Sequence, residues 1–388
     1  MSTSLAPPRQ ALARLHQMAG LDFTGPEHIE PVLHALRGLI GFDSGGYLYP
    51  DEHGELHAHM QSPELIANLP HYFDPRMERN ESQLFRRSPR HFAGMVRHEH
   101  GPHLLGEVLT VSRSELLRSD YWNEMLRPAG VTDWLTLVLR TAQGRGVGMV
   151  FLYRHGTFFS QEDAATLAQL EGHLSRILQV SESDAADSEV QGQGIVVVTP
   201  RGRPLWVSPE AEALMRMAFG WHWRHGADMP PVLLELLRRL QAEPARKGWP
   251  AMALPALEIR NVHGSFSLRA TRMADATGQQ PDRQAAALHV TRRVAHSVQL
   301  LSALGALKLP LRQHEMAWWL ARGLSENQIA QRMGISINTA VYHRRQLYNR
   351  LGVASRDNLL VKVRQGYAPG HGEGADVDRR PLLPAGIG

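Results

Sequence analysis

Between Asn338 and Arg350 the chain carries polar and aromatic side chains at helical spacing. At ~100° per residue, Asn338, Val341, Tyr342, Arg345 and Asn349 share one side of a helix, and Ala340, Leu347 and Leu351 share the other. Amide and guanidinium groups pair with base edges in a major groove, and Val341 offers an apolar surface for a thymine methyl. Arg344 and Arg350 flank this face on stems long enough to bring charge to phosphates. This chemistry is recognition of a polyanionic duplex and needs no bond-making step.

Such a face must be presented by a short, well-stopped helix, and the surrounding sequence supplies one. "LRQHEMAWWLARG" reads as a helix ending at Gly323. "SENQIAQRM" follows, with Ser325 as cap, Gln328 answering it three residues on, and Gly334 as the stop. "IS" makes the turn. Ser336 caps a third helix from Ile337 to Leu351, and a fourth begins at Ser355 after "LGV". A serine-capped helix after a tight turn fits the second helix of a helix-turn-helix.

The run from Leu309 to Arg356 resembles the LuxR-type (GerE-like) helix-turn-helix family. The match runs through Arg312, Glu315, Ala321, Gly323, Ser325, Ile329, Ala330, Ile335, Ser336, Thr339, His343, Leu347, Arg350, "LGV" and Arg356. The resemblance implies a scaffold helix at Ser325 to Met333, a recognition helix at Ile337 to Leu351 and a last helix that takes part in dimerisation. Gln328 and Thr339 complete the candidate DNA-contacting set of Asn338, Val341, Tyr342, Arg344, Arg345, Asn349 and Arg350. Two positions depart from the family pattern. Pro310 stands where a capping Thr is usual, and Val341 where Lys or Arg is usual, which throws base readout onto Tyr342, Arg345 and Asn338.

Charge agrees with this division. Residues 305–365 hold two lysines and eight arginines against Glu315, Glu326 and Asp357, a surplus of seven positive charges in a chain of net +4. The remainder is therefore net negative by three, as expected of a nucleic-acid-binding module joined to something else. The absence of cysteine excludes disulfides, thiolate metal sites and thiol catalysis, and suits a reducing cytoplasm. With no run of 18 apolar residues and no signal-peptide core at the start, the expectation is a cytoplasmic protein of two or three domains with no membrane contact.

The rest of the chain reads as α+β. A helix from Pro26 to Ile40 precedes a hairpin in "GYLYPDEHGELHAHMQ", and "SPELIANLPHYF" is helical. Arg86 to His103 reads as a loop, and "SRSELLRSDYWNEMLRPAG" as a helix broken at Pro128. A second hairpin, "DWLTLVLRT" and "VGMVFLYRH", leads to a helix capped by Ser160 and Asp163. In order and pattern, residues 10–180 resemble the GAF domain family. Residues 181–194, acidic and small, read as a linker. Residues 194–295, with strands in "IVVVTPRGRPLWVS", "SFSLRATRM" and "AAALHVTRRV" and helices in "PEAEALMRMAF" and "PPVLLELLRRLQ", resemble a PAS-like domain. The helix-turn-helix domain spans 305–365, and 366–388 is a Gly- and Pro-rich tail expected to be disordered.

Sensor domains of these two kinds take a small molecule between sheet and helices, or serve as dimerisation units. Candidate ligand contacts are Tyr47, Tyr49 and His59 on the first hairpin, with Tyr121, Trp122 and Trp134 near the second. Aromatics on strands serve equally as plain core. His57, His59, His98, His100 and His103 form no metal-ligand pattern with carboxylates, so no metal or cofactor is expected. Receiver, ATPase, hydrolase and zincin signatures are missing, which argues against an enzyme. The expected protein is a homodimeric regulator bound to operator DNA and controlled by a small, largely apolar effector, with RNA polymerase a further candidate partner. The alternative is a signalling adaptor whose helical domain makes protein contacts.

Overall fold

The computed structural model describes residues 8–21, 24–51, 54, 56–72, 74–180, 188–223, 229–242, 254–273 and 285–366. Residues 181–187 of the expected linker and 367–388 of the expected tail lie outside them. The chain divides into two units, the first ending at Val298 and the second starting at Gln299.

In the first unit, α1 (Pro8–Gly20) and α2 (Ile29–Ile40) lead into strands β1 (Ser44–Pro50) and β2 (Leu56–Met60). Then come α3 (Pro63–Tyr72), α4 (Pro75–Leu84), α5 (Phe92–His98), β3 (Pro102–Leu104), α6 (Leu105–Val108), α7 (Arg113–Arg118), β4 (Asp133–Arg140), β5 (Gly146–Arg154) and α8 (Gln161–Leu178). The five strands pair antiparallel in the order β2-β1-β5-β4-β3. Seven of the eight residues of β4 are buried, because helices cover both faces of the sheet. Alternation sends Trp134, Thr136 and Val138 to one face and Leu135, Leu137 and Leu139 to the other, where α8 packs. Ser160 and Asp163 cap α8 reciprocally, at 3.1 Å (Asp163 N to Ser160 Oγ) and 2.8 Å (Ser160 N to Asp163 Oδ2).

At three places the local structure departs from what the sequence leads one to expect. The Arg86 to His103 stretch is no plain loop: Phe92 and Val96 of α5 pack on the core, and β3 gains its partner from β4, a pairing that local sequence does not reveal. The helix expected to run to Pro128 stops at Arg118, because Ser119 turns extended and its Oγ accepts from Trp122 N at 3.1 Å, starting a new turn. That turn, Tyr121–Leu126, is π-helical, with Arg127 N donating five residues back to Trp122 O at 2.8 Å. α1, absent from the sequence reading, buries Ala11, Leu15, Met18 and Ala19 at helical spacing.

A second antiparallel sheet follows from β6 (Ser188–Val198), β7 (Pro204–Val207), α9 (Pro209–Phe219), α10 (Pro231–Ala242), β8 (Ala256–Asn261), β9 (Gly264–Met273) and β10 (Ala285–Ala295). Its order, β7-β6-β10-β9-β8, repeats that of the first sheet. β6 begins at Ser188, inside the stretch expected to be linker. Its early residues are largely exposed and are held by the ladder to β10, so their polarity is no obstacle. Val196, Phe266, Leu268, Leu288 and Val290 pack under Met215 of α9 and Leu233 and Leu237 of α10. Gly194 lets α9 approach, since a Cβ there would lie 2.5 Å from Ala211 N.

The two sheets are tied by polar contacts. Tyr49 Oη accepts from Val262 N at 3.0 Å. Arg260 Nη2 lies 2.6 Å from Glu27 Oε1, with side chains only 8% and 5% exposed.

α11 (His296–Ala306) includes the boundary and is followed by α12 (Leu311–Ala321), α13 (Glu326–Met333), α14 (Ile337–Leu351) and α15 (Arg356–Gly366). Trp318 is wholly buried, as are Met316, Ile329, Ala340, Leu347 and Leu359 of the helical unit. Among the described residues, no helix is long and apolar enough to cross a membrane.

Candidate nucleic-acid interface and effector cavity

The interface is built by caps. Ser325 Oγ accepts from Gln328 N at 3.4 Å, and Gln328 Oε1 accepts from Ser325 N at 2.9 Å, starting α13. Gly334, at φ 63°, ends it in the left-handed region that favours glycine. Two residues later Ser336 Oγ accepts from Thr339 N at 3.1 Å and starts α14. At the far end Gly352, also at φ 63°, lets Val353 N reach back to Tyr348 O at 3.0 Å. These short connections fix α14 on α12 and α13 through Ala340, Leu347 and Leu351. The opposite side is open: Asn338, Arg345, Asn349 and Arg350 are exposed, Tyr342 is 58% exposed, and Val341 is half-buried.

Three residues of the expected DNA-contacting set make side-chain contacts within the domain. Arg344 pairs with Glu326 of α13 and lies over the Tyr348 ring at 5.8 Å, bridging the two helices. Gln328 spends its side-chain oxygen on the α13 cap, and the Thr339 hydroxyl is 2.8 Å from Ser336 Oγ. α12 has no side-chain cap at Pro310, the consequence expected of that departure. Burial raises the pKa of Glu315, an effect opposed by Arg312 at 3.2 Å.

Residues 308–363 match the family model for bacterial regulatory proteins of the luxR family. They form a LuxR-type helix-turn-helix domain. Comparison with curated proteins gives no match. Among solved structures, the chain is similar to Escherichia coli SdiA at 13% identity, with 92% of this chain and 95% of that one covered and a TM-score of 0.28. It is also similar to the Vibrio cholerae VqmA dimer, described among LuxR-type receptors, at 16% identity, 45% and 83% coverage and a TM-score of 0.16. A third is phage VqmA in complex with DPO, at 16% identity, 46% and 84% coverage and a TM-score of 0.21. Likeness this distant carries no functional argument.

In the first unit, an apolar cavity of about 70 Å³ lies on one face of the first sheet. The sheet contributes Leu48, Trp134, Thr136, Met149, Phe151 and Tyr153, all on the same side by register. The helices contribute Leu65, Tyr72, Glu81 and Met95, and the π-helical turn adds Tyr121, Met125 and Leu126. Trp134 Nε1 is buried with no hydrogen-bond partner. Glu81 is fully buried and accepts from Tyr72 Oη at 2.9 Å, Ser88 Oγ at 2.7 Å and Arg90 Nε at 2.8 Å. Burial and the nearby Glu81 carboxylate raise the pKa of Tyr72 well above the usual phenol value.

Of the six expected ligand contacts, the structure brings only Tyr121 and Trp134 to this cavity. Tyr47 and Tyr49 alternate with Leu48 and stack together on the opposite face, with ring centroids 4.9 Å apart. Tyr47 Oη donates to Val147 O at 3.2 Å, and Tyr49 is committed to Val262. His59, opposite Tyr47, lies 2.8 Å from Glu30. Trp122 is core but does not line the cavity, because the π turn points its neighbours Tyr121 and Met125 there instead. Residues missed by the sequence reading include Glu81, Arg87 and the methionines. Only the methionines, adaptable gap-fillers, carried any signal.

The Arg- and His-rich stretch has a structural focus in Glu99, 2% exposed. Arg86 Nη2 lies 2.8 Å and His103 Nε2 3.1 Å from its carboxylate, and Arg87 also pairs with it. Burial acts to raise the Glu99 pKa, but hydrogen bonds from Arg86 and Arg87 outweigh it, so the carboxyl titrates below its ordinary value. A depressed folded pKa means that this contribution is present above the unfolded value of about 4.3 and lost as pH falls through the folded one. The melting temperature of the chain should therefore fall on acidification below pH ~4.3 with a slope that Glu99→Gln reduces. Equal slopes in the two proteins would count against it. No group of three or more His, Asp or Glu residues arranged to hold a metal occurs among the described residues.

Proposed function

We propose that the chain is a sequence-specific, DNA-binding transcription regulator that acts as a homodimer and is controlled by a small effector bound in the cavity of its first sheet. In this reading residues 10–180 are a GAF-like sensor, 194–295 a PAS-like module and 305–365 the DNA-binding domain. The observation that carries it is the exposed face of α14, where Asn338, Tyr342, Arg345 and Asn349 stand free of the core on a helix fixed by caps at both ends. Such a face reads base edges. Leu48 lines the cavity and its neighbour Tyr49 bonds to Val262, so β1 offers a path from effector to second module.

Selection of bound fragments from a random duplex pool with the full chain is the test. A two-fold motif should emerge, as two recognition helices require. Arg345→Ala should cost roughly 1–3 kcal/mol and relax preference at one base position in each half-site. Arg350→Ala should weaken all sequences alike and lower the salt slope by about 1. No enriched sequence, with folded protein, would turn the reading toward an adaptor.

A further inference from the structure

The cavity of the first unit adjoins a surface cleft along which three arginines gather. Arg79, Arg86, Arg87, Ser82, Ser88 and His91 line the cleft, with Glu78 as its one acid. Arg87 and Phe85 line both spaces and so form the wall between them. Phe85 in turn packs against Trp134, with ring centroids 5.2 Å apart. Phe85 and Arg87 thus stand between the exposed guanidinium groups of the cleft and a buried indole N–H that has no acceptor.

Charge on the cleft side favours an anion. Arg86 and Arg87 are two permanent cations facing the single Glu99 carboxylate, and Arg87 is still 36% exposed. Arg79 is exposed and has no ion-pair partner among the described residues. The carboxylate inside the cavity, Glu81, does not oppose this, because three donors, Arg90 among them, already satisfy it. A buried donor without an acceptor is costly, and cavity lining of this kind stays dry unless polar groups are matched. By volume the cavity holds several times the roughly 10–15 Å³ that one water needs.

Resting on the reading of this cavity as the effector site, we propose that the effector is a small carboxylic acid with an apolar, ring-sized body that also bears a hydrogen-bond acceptor. The carboxylate sits at Arg87 where it lines the cavity, the body lies among Leu48, Met149 and Phe151, and the acceptor accepts a hydrogen bond from Trp134 Nε1.

Calorimetric titration of the full chain with benzoate, 4-hydroxybenzoate and methyl 4-hydroxybenzoate tests this without reference to DNA. The hydroxy acid should bind saturably, one per chain, and at least tenfold more tightly than its neutral ester. Arg87→Gln should weaken the acid about tenfold and leave the ester unchanged. Trp134→Phe, which keeps a ring but removes the donor, should weaken 4-hydroxybenzoate more than benzoate. Because Arg87 also touches Glu99, Arg79→Gln serves as a second variant outside that cluster, with a several-fold loss expected for the acids alone. An ester as tight as the acid, or an acid indifferent to both arginine variants, overturns the anionic class and leaves the effector cavity standing. Failure of both acids to bind folded protein at 10 mM overturns the proposal, while fragment selection decides the DNA-binding reading independently.

Discussion

Alanine in place of Arg260 should lower the unfolding free energy of the first unit by roughly 3–5 kcal/mol, the cost of removing one partner from a buried ion pair. The pair qualifies as buried on both sides, with Arg260 8% and Glu27 5% exposed and 2.6 Å between Nη2 and Oε1. An exposed pair of the same geometry would contribute a fraction of that, since solvent screens it. Truncation removes the cation facing Glu27 and also the bond from Arg260 Nη2 to Thr24 O at 3.4 Å. For a unit of this size the melting temperature should fall by roughly 5–8 °C. Arg260→Met combined with Glu27→Gln, which removes both charges, should recover much of the loss. A single-variant loss under about 1 kcal/mol, or a double variant no better than the single, would show that the pair is not buried in solution.

The second large effect lies in the helical unit. Trp318→Ala should destabilise it by roughly 3–5 kcal/mol, as expected for deleting a fully enclosed indole. Trp318 belongs to α12, which packs on α14 and α15, so its loss removes the platform on which α14 rests. DNA binding should then fall for every sequence at 37 °C, together with loss of the helical unit's melting transition. Trp318→Phe should restore most of both. Arg345→Ala is the contrasting case, with an unchanged transition and a loss of roughly 1–3 kcal/mol limited to the preferred sequence. If Trp318→Ala keeps both its transition and its affinity, the four-helix packing described above is wrong.

The helical unit was legible because its signals are local. Ser325 with Gln328, Gly334, Ser336 and Gly352 each perform, in the structure, the cap or stop that their residue types imply. What sequence could not show is which side chains turn inward to one another. Arg344 and Arg345 are adjacent and chemically identical, yet one is held by Glu326 and the other is exposed. Glu78 and Glu81, three residues apart on α4, look alike in sequence, and only Glu81 is fully enclosed. On β1, alternation separates Leu48 from Tyr47 and Tyr49 without saying which face meets the cavity. Helices distant in sequence decide that, so Tyr121 and Trp134 line the cavity while Tyr47 and Tyr49 stand on the opposite face of the sheet.

The bonds from Tyr49 to Val262 and from Glu27 to Arg260 bear on modular exchange. A chain cut or spliced at 181–187 to graft the first sheet onto a foreign output would carry Glu27 and the Tyr49 hydroxyl to a surface that offers them nothing. The donor module would lose Arg260 its carboxylate in the same stroke. Working chimeras should therefore be joined beyond β10, so that both sheets travel as one cassette.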